Sequence, residues 1–357
     1  MIPRAGRLAA TAISGALLML LLPLGVANAG TADYATPDYV ISVPMAQSDT
    51  DMRRVADYWR PDRLKQADSY TPATPGAKPT ALPSVSASGM PAKPQQQRVL
   101  PKEVRPSAPL RGGAARTSGK VFFRYGEKEY WCSATAVASA RRNVVATAAH
   151  CAFDVREGQP ASYWIFVPNP GPGGDTPDGI YVGASLHIHE DWAGMADYDY
   201  DYAFVSVHRG FRWVLKDGSY VMQDVGRLVD NIGGQGLTIS KKTGNQVHAF
   251  GYPAGAQPDG TRPFDGRTLR TCSGITKWTR STTRNLEYGV QLPNCDFSAG
   301  ASGGPWMLNY SPASGLGLLN GINSLTWNGQ AGGKYDAISS PYFMASTLEV
   351  YRRAEAG

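Results

Sequence analysis

The sequence predicts an all-β protein in which short strands alternate with tight turns. Forty glycines, together with many tyrosine, valine, threonine and tryptophan residues, favour strands and the turns between them. Short β-type runs recur from residue 120 onwards, for example at 120–125, 164–167, 237–239 and 289–292. Strands of this length are typical of barrels and sandwiches, and no internal sequence repeat indicates another architecture.

The composition is that of a globular protein. Of the 357 residues, 42% are hydrophobic and 18% are charged, which is enough apolar material for a sizeable core. The net charge of +6 is mildly basic, but no block of Lys and Arg is long enough to form a nucleic-acid-binding arm. We therefore expect a solvated, slightly cationic surface and no nucleic-acid partner.

Residues 1–29 have the three parts of a secretory signal peptide. Arg4 and Arg7 form a positive start, an apolar run extends over 8–26, and A-N-A at 27–29 is a small-x-small cleavage motif. The alternative is a membrane anchor, which is disfavoured because serine, glycine and proline interrupt the apolar run. We expect an extracellular protein with no membrane association after the signal peptide is removed.

Residues 30–116 differ in composition from the rest of the chain. Near the middle of this segment one helical face is apolar, at Met52, Val55, Ala56 and Trp59. Ser48 or Asp49 can cap the start of such a helix, and Pro61 ends or kinks it. From 71 to 110 the chain is rich in Pro, Ser, Ala, Gln and Gly, which indicates an extended linker without a core.

A serine lies among three glycines in G-A-S-G-G-P, residues 300–305. Clustered glycines let bare backbone approach a ligand and point N–H groups at it. In such a bend a serine hydroxyl can attack a carbonyl while neighbouring N–H groups bind the oxyanion that forms. The hexapeptide alone is equally compatible with an ordinary turn.

Two further stretches supply the groups that such a serine needs. Serine requires a neighbouring base, and His150 in T-A-A-H-C follows an apolar, strand-like run. Asp201 opens the β-type run 202–207, so an acid stands where a loop enters a buried strand; Asp199 is the alternative acid. The chain order His150, Asp201, Ser302 is that of the chymotrypsin catalytic triad.

In these motifs the chain resembles the secreted bacterial serine proteases of the chymotrypsin-like (trypsin) fold, near the V8-like glutamyl endopeptidases. T-A-A-H-C around His150 and G-A-S-G-G-P around Ser302 carry most of the resemblance. Supporting motifs are D-Y-A-F-V from Asp201, F-G-Y-P from Phe250 and G-I-N-S from Gly321. The resemblance covers about residue 117 to the C-terminus.

The resemblance implies two six-stranded antiparallel β-barrels with the active site in the cleft between them. The first barrel, 117–225, would carry His150 and Asp201, and the second, within 226–357, would carry Ser302. A C-terminal helix is predicted over 342–356, because one helical face is apolar at Phe343, Thr347, Leu348 and Tyr351.

The resemblance also implies the residue roles. His150 would take the proton of Ser302, Asp201 would orient His150, and the N–H groups of Gly300 and Ser302 would form the oxyanion hole. The expected substrates are polypeptides, the reaction needs no cofactor, and we expect a monomer. The alternatives are a catalytically inactive homologue that binds partners, and an esterase with the same triad.

Residues 30–116 are accordingly predicted to be a pro-segment that inhibits the exported enzyme; a mere surface tether is the alternative. Trypsin-like enzymes have an aspartate before the nucleophile that pairs with the new N-terminus, whereas this chain has Ala301. Inhibition by covering the cleft is therefore expected. Cleavage within 111–118 would create a mature N-terminus near Thr117.

Four cysteines in an exported chain predict two disulfides. Spacing favours Cys132–Cys151 and Cys272–Cys295, and the resemblance places the first bridge beside the catalytic histidine. A zinc site is the alternative, but no Cys-x-x-Cys pair is present. His187 and His189 share one side of a predicted strand without an evident third ligand, so no metal site is predicted.

The substrate-pocket residues that we predict are Asp296, Ser324 and Thr326. Asp296 lies six residues before Ser302, where trypsin has the carboxylate that binds Lys and Arg. However, Ser298 stands where a cysteine is expected between these two residues. A glutamyl preference would require a histidine where Asn323 stands. The side chain preferred before the scissile bond is therefore left open.

Overall fold

The computed structural model describes residues 39–70, 98–99, 116–329 and 332–357. The predicted signal peptide and the predicted linker, apart from two residues, lie outside these ranges. None of the helices in the described ranges combines the length and the apolar character that a bilayer crossing requires.

Strands dominate the described residues. In chain order they are β1 (Val40–Pro44), β2 (Asp68–Ser69), β3 (Arg98–Val99), β4 (Ser118–Tyr125), β5 (Lys128–Val137), β6 (Val144–Thr147), β7 (Phe153–Asp154), β8 (Gln159–Pro160), β9 (Ser162–Pro168), β10 (Tyr181–His189), β11 (Ala203–Val207), β12 (Gly210–Lys216), β13 (Ser219–Gly226), β14 (Gly236–Thr238), β15 (Gln246–Gly251), β16 (Arg270–Ile275), β17 (Lys277–Ser281), β18 (Leu286–Pro293), β19 (Pro305–Ser311), β20 (Leu316–Ile322), β21 (Leu325–Trp327) and β22 (Ala337–Pro341). The α-helices are α1 (Asp49–Tyr58), α2 (Pro61–Leu64), α3 (Glu190–Met195), α4 (Leu228–Ile232) and α5 (Ala345–Ala356). Short 3-10 helices span Ala149–Cys151, Tyr198–Tyr200 and Thr282–Arg284.

Six antiparallel strands close the first β-barrel. Their order is β10-β11-β6-β5-β4-β9, and β10 also pairs with β9, so that the sheet closes on itself. Alternate residues such as Val121, Phe123 and Ala134 lie in one core and are fully buried. The prediction of a six-stranded barrel in this part of the chain is confirmed.

The strands after residue 226 form two further sheets. One has the order β16-β15-β19-β20-β14-β3 and the other the order β17-β18-β22-β21. The two sheets share an apolar core that includes Val247, Leu292 and Ile338. Because no strand pairing within the described residues joins them, the second closed barrel stays a prediction.

A C-terminal helix is present, as predicted, and begins at Ala345 rather than at 342. It packs on β10 and β11, and Leu348, Val350 and Tyr351 are buried in the interface. The Tyr351 hydroxyl donates a hydrogen bond of 2.6 Å to the carbonyl of Ala138 in the loop after β5. The helix thus covers one side of the first barrel.

The N-terminal segment 39–70 packs on this barrel. Strand β1 pairs with β10 along its whole length. Helix α1 lies in the stretch where the sequence predicts a helix, and Ser48 caps it by accepting a hydrogen bond of 3.0 Å from the N–H of Asp51. Val55 and Ala56 of α1 are buried, and Trp59, which directly follows the helix, is fully enclosed, with its indole N–H donating to the carbonyl of Tyr163.

Candidate active site

His150 and Asp201 flank two neighbouring strands, β6 and β11, at the same end of the barrel. His150 lies in the short helix that follows β6, and Asp201 lies two residues before the start of β11. Since β6 and β11 are antiparallel, with Thr147 opposite Ala203, the end of one strand lies beside the start of the other. The pairing therefore brings the base and the acid together from positions far apart in sequence.

The contact between the two side chains is short and buried. His150 Nδ1 lies 2.8 Å from Asp201 Oδ2, and the backbone N–H of His150 donates to Asp201 Oδ1 at 2.9 Å. Ser324 Oγ donates a third hydrogen bond, of 2.6 Å, to Asp201 Oδ2. This carboxylate assigns the ring proton to Nδ1. His150 Nε2 is buried without a partner among the described residues, so it is free to accept a proton.

Asp199, the alternative acid, has a different function in the structure. Its carboxylate accepts hydrogen bonds from the backbone N–H groups of Glu287 (3.0 Å) and Tyr288 (2.7 Å) in β18. Burial raises the pKa of its carboxyl group. Asp199 therefore ties the loop before Asp201 to the second half of the molecule, and the geometry favours Asp201 as the partner of His150.

Ser302 lies in a turn that is packed against the first barrel. Its carbonyl accepts a hydrogen bond of 2.8 Å from the N–H of Ser133 in β5, and its side chain is half-buried. The next residue, Gly303, has a φ of 78°, and a Cβ there would lie 2.1 Å from Thr147 Oγ1. Only glycine fits this position, and the contact places the serine turn against the chain that leads to His150.

Gly300, one of the two predicted oxyanion-hole residues, has a backbone conformation that favours glycine. Gly300 has a φ of 94°, and a Cβ there would lie within 2.6 Å of both Trp131 and the carbonyl of Tyr252. The hydroxyl of Ser133 donates to the carbonyl of Gly300 (2.8 Å) and accepts from the N–H of Tyr252 (2.9 Å). Within the described ranges the N–H groups of Gly300 and Ser302 donate no hydrogen bond.

Two residues that the sequence analysis did not assign hold this turn in place. Ser133 makes the contacts just described. Asn323 donates from its amide to the carbonyls of Phe250 and Ala301, both at 2.8 Å, and accepts from the indole N–H of Trp306 at 2.7 Å. The motif G-I-N-S pointed to Asn323 only as a position that affects substrate specificity. No signal in the sequence indicated that its side chain would form hydrogen bonds inside the protein.

A cavity of about 620 Å³ opens at Ser302. Its walls include Ser324 and Thr326, as predicted, together with Arg262 and Arg284. It is also lined by Asp68, Ser69, Tyr70, Ser298, Phe297, Trp327 and Ile338.

Asp296 does not line this cavity. Its side chain is exposed, and its backbone carbonyl accepts a hydrogen bond of 2.7 Å from Gln257. The structure therefore does not support Asp296 as the base of the substrate pocket. Ser298, which stands where the sequence analysis expected a cysteine, lines the cavity instead, and its hydroxyl has no partner among the described residues.

Both predicted disulfides are confirmed. Cys132 is bonded to Cys151 and Cys272 to Cys295, at sequence separations of 19 and 23. The first bridge joins β5 to the short helix that carries His150. The sulfurs of Cys132 and Cys151 lie close to a ring nitrogen of His150, but as a disulfide they are not the thiolates that bind metal ions.

Comparison with known proteins defines the class. A thermostable serine protease, AL20, from an extremophilic microorganism superposes with a TM-score of 0.55 and 28% identity, covering 68% of this chain and 98% of that chain. Protease Anisep from Arthrobacter nicotinovorans gives a TM-score of 0.55 and 28% identity over 69% of this chain and 98% of its own. A Glu endopeptidase is more distant, with 16% identity and a TM-score of 0.48 over 72% of this chain and 100% of its own. No protein-family model and no curated protein matches the sequence.

The fold and the first two of these structures place the chain among the chymotrypsin-like serine proteases. The protein is a serine endopeptidase.

Proposed function

We propose that this chain is an exported serine endopeptidase that hydrolyses peptide bonds through His150, Asp201 and Ser302. The observation that carries the proposal is the buried His150–Asp201 pair, 2.8 Å apart, which leaves Nε2 of His150 without a partner among the described residues. This arrangement supports a base that is held in one tautomer and is ready to take a proton.

The reaction proceeds by acyl transfer. His150 Nε2 takes the proton of Ser302 Oγ as the oxygen attacks the scissile carbonyl, and the N–H groups of Gly300 and Ser302 bind the oxyanion. Asp201 stabilises the imidazolium, which then gives its proton to the leaving amine. Water, deprotonated by the same histidine, releases the acyl group and restores Ser302.

The enzyme is made as an inactive precursor. Residues 1–29 direct export, and residues 30–116 form a pro-segment that acts as an intramolecular inhibitor until cleavage within 111–118 removes it. Two observations support this: α1 and β1 pack on the barrel, and Asp68, Ser69 and Tyr70 line the same cavity as Ser302. Polypeptide substrates would have to displace this part of the chain.

Labelling with a fluorophosphonate tests the proposal. The processed protein should bind one equivalent, and a Ser302→Ala variant should bind none, because the probe reacts only with an activated serine. Cleavage of denatured protein substrates should be lost in the same variant. If neither protein labels after the N-terminal segment is removed, the proposal fails, and a catalytically inactive homologue that acts as a binding module becomes the account to pursue.

A further inference from the structure

The side chain of Tyr70 is buried at the edge of the active site. Its ring centroid lies 6.0 Å from that of His150, and only 8% of the residue is exposed. Tyr70 lines the cavity that contains Ser302, although it belongs to the segment that precedes the predicted mature enzyme. The residue thus occupies space beside the catalytic base that a substrate could use.

The pocket around Tyr70 is built from aromatic rings of the first barrel. Phe123 and Tyr125 in β4 lie at centroid distances of 5.5 and 5.3 Å, and Tyr130 in β5 lies at 5.0 Å. All three meet the Tyr70 ring at steep angles, in the edge-to-face arrangement that aromatic pairs prefer. The three rings enclose the Tyr70 side chain, so removal of that side chain would leave a space lined by aromatic groups.

The backbone of the segment is bound as an added strand. β2 pairs in parallel with β5, with Asp68 opposite Tyr130 and Ser69 opposite Trp131. The N–H of Tyr70 then donates a hydrogen bond of 3.0 Å to the carbonyl of Trp131. Main-chain pairing with a side chain in an adjacent pocket is a general way in which proteins bind extended peptides.

The position of the pocket indicates which part of a substrate it serves. His150 gives its proton to the leaving amine, so the substrate chain after the scissile bond begins beside this ring. The Tyr70 pocket touches His150 and is made by β4 and β5. The other walls at Ser302 include residues 297–299, 301 and 323–327, which come from the second half of the molecule.

We infer that Tyr70 occupies a substrate subsite, and that this subsite takes an aromatic side chain from the substrate on the C-terminal side of the scissile bond. This inference rests on the proposed function. If Tyr70 marks this subsite, β5 binds the part of the substrate that follows the scissile bond, and Tyr130 determines which side chain is preferred there.

Matched peptides test this subsite. The protein is recovered in its processed form after expression of the full chain. It is assayed on peptides that carry either Tyr or Ala at each of the first three positions after the scissile bond. At one of these positions Tyr should raise kcat/KM by about tenfold or more, the discrimination typical of an apolar pocket. Tyr130→Ala should bring this ratio close to one. Tyr288→Ala, which removes an exposed tyrosine of β18, should leave the ratio unchanged.

The outcomes separate the two hypotheses. Cleavage that depends on Ser302 but shows no aromatic preference after the scissile bond, or a preference that Tyr130→Ala does not alter, overturns the subsite and leaves the protease assignment intact. Absence of any Ser302-dependent cleavage overturns the proposed function, and the subsite with it.

The unprocessed chain provides a second measurement that does not require the Tyr130 variant. Removing the Tyr70 side chain should open the pocket beside His150, so Tyr70→Ala should increase the rate of fluorophosphonate labelling of the unprocessed chain several-fold. An unchanged rate would show that Tyr70 does not obstruct the site, and would overturn the inference.

Discussion

Asp201 accepts three hydrogen bonds, two from His150 and one from Ser324, and its side chain has no contact with solvent. A buried carboxylate is stable only when it is fully hydrogen-bonded, and here the bonds also fix the ring of His150. Asp199 lies two residues earlier and is also buried, but its hydrogen bonds go to the backbone of β18. The two acids therefore provide a matched pair for testing what each carboxylate does.

Asp201→Asn should lower kcat by about 10⁴-fold with little change in fold, because an amide at this position stabilises the wrong tautomer of His150. Asp199→Asn should change kcat by no more than a few-fold, since it contacts backbone rather than the base. Both rates are measured on one peptide substrate, with circular dichroism to check folding. A larger loss of activity at Asp199 than at Asp201 would contradict this assignment of roles.

At the scale of elements, the two disulfides close loops of similar length in different places. On the chain-entropy account, each should stabilise the fold by about 3 kcal/mol, since loop length sets the effect. Only Cys132–Cys151 is attached to the short helix that carries His150. Helix α1 is the other element with a clear energetic role, because Trp59, which directly follows it, is completely buried against the barrel.

Replacing both cysteines of either bridge with alanine should lower thermal stability by similar amounts. The Cys132/Cys151 double variant should in addition lose activity at temperatures where it is still folded, because His150 is no longer held. The Cys272/Cys295 double variant should keep its activity under those conditions. Equal activity losses in the two variants would count against a positioning role for the first bridge.

Trp59→Ala should lower the free energy of unfolding by about 3–5 kcal/mol, because it leaves a cavity where a large aromatic side chain was buried. Denaturant unfolding of the unprocessed chain, in the Ser302→Ala background to prevent self-cleavage, measures the effect. Arg53→Ala, on the exposed face of the same helix, is the control and should change stability by less than about 0.5 kcal/mol. A small effect of Trp59→Ala would mean that α1 contributes little to binding of the segment.

At the scale of the whole molecule, two buried histidines lie between the N-terminal segment and the barrel. His187 Nδ1 is 2.9 Å from Ser42 Oγ in β1, and Arg353 of α5 lies nearby. His189 is stacked between Tyr39 and Tyr200, at ring distances of 4.8 and 3.7 Å, and Asp191 is its nearest acid. The segment therefore contributes part of the enclosure of each ring, through Ser42 at His187 and Tyr39 at His189.

Burial, reinforced by Arg353, lowers the pKa of His187 to about 4, and burial alone lowers the pKa of His189 to about 4. In the unfolded chain both would have pKa values near 6.5. Protonation therefore favours the unfolded chain, and stability that is fully present above pH 6.5 is lost as the pH falls towards 4.

The melting temperature of the unprocessed chain, again with Ser302→Ala, should fall as the pH is lowered from 6.5 to 4. A His187→Gln/His189→Gln variant should show a smaller fall over the same range, since glutamine cannot be protonated. If the two pH profiles are parallel, other groups cause the acid sensitivity.

The β class, the strands of the first barrel, the position of α1, both disulfides and the candidate triad were all predictable from the sequence. These features depend on local pattern, on short loops and on residue types that carry chemistry, all of which can be read along the chain. The folded structure was needed to show that Asp201 rather than Asp199 bonds to His150, that Ser324 donates to Asp201, and that Asp296 does not line the cavity. It also placed Tyr70 beside His150. These arrangements depend on side-chain direction and on strand pairing between residues that are far apart in the chain. Neither property has a local signal in the sequence.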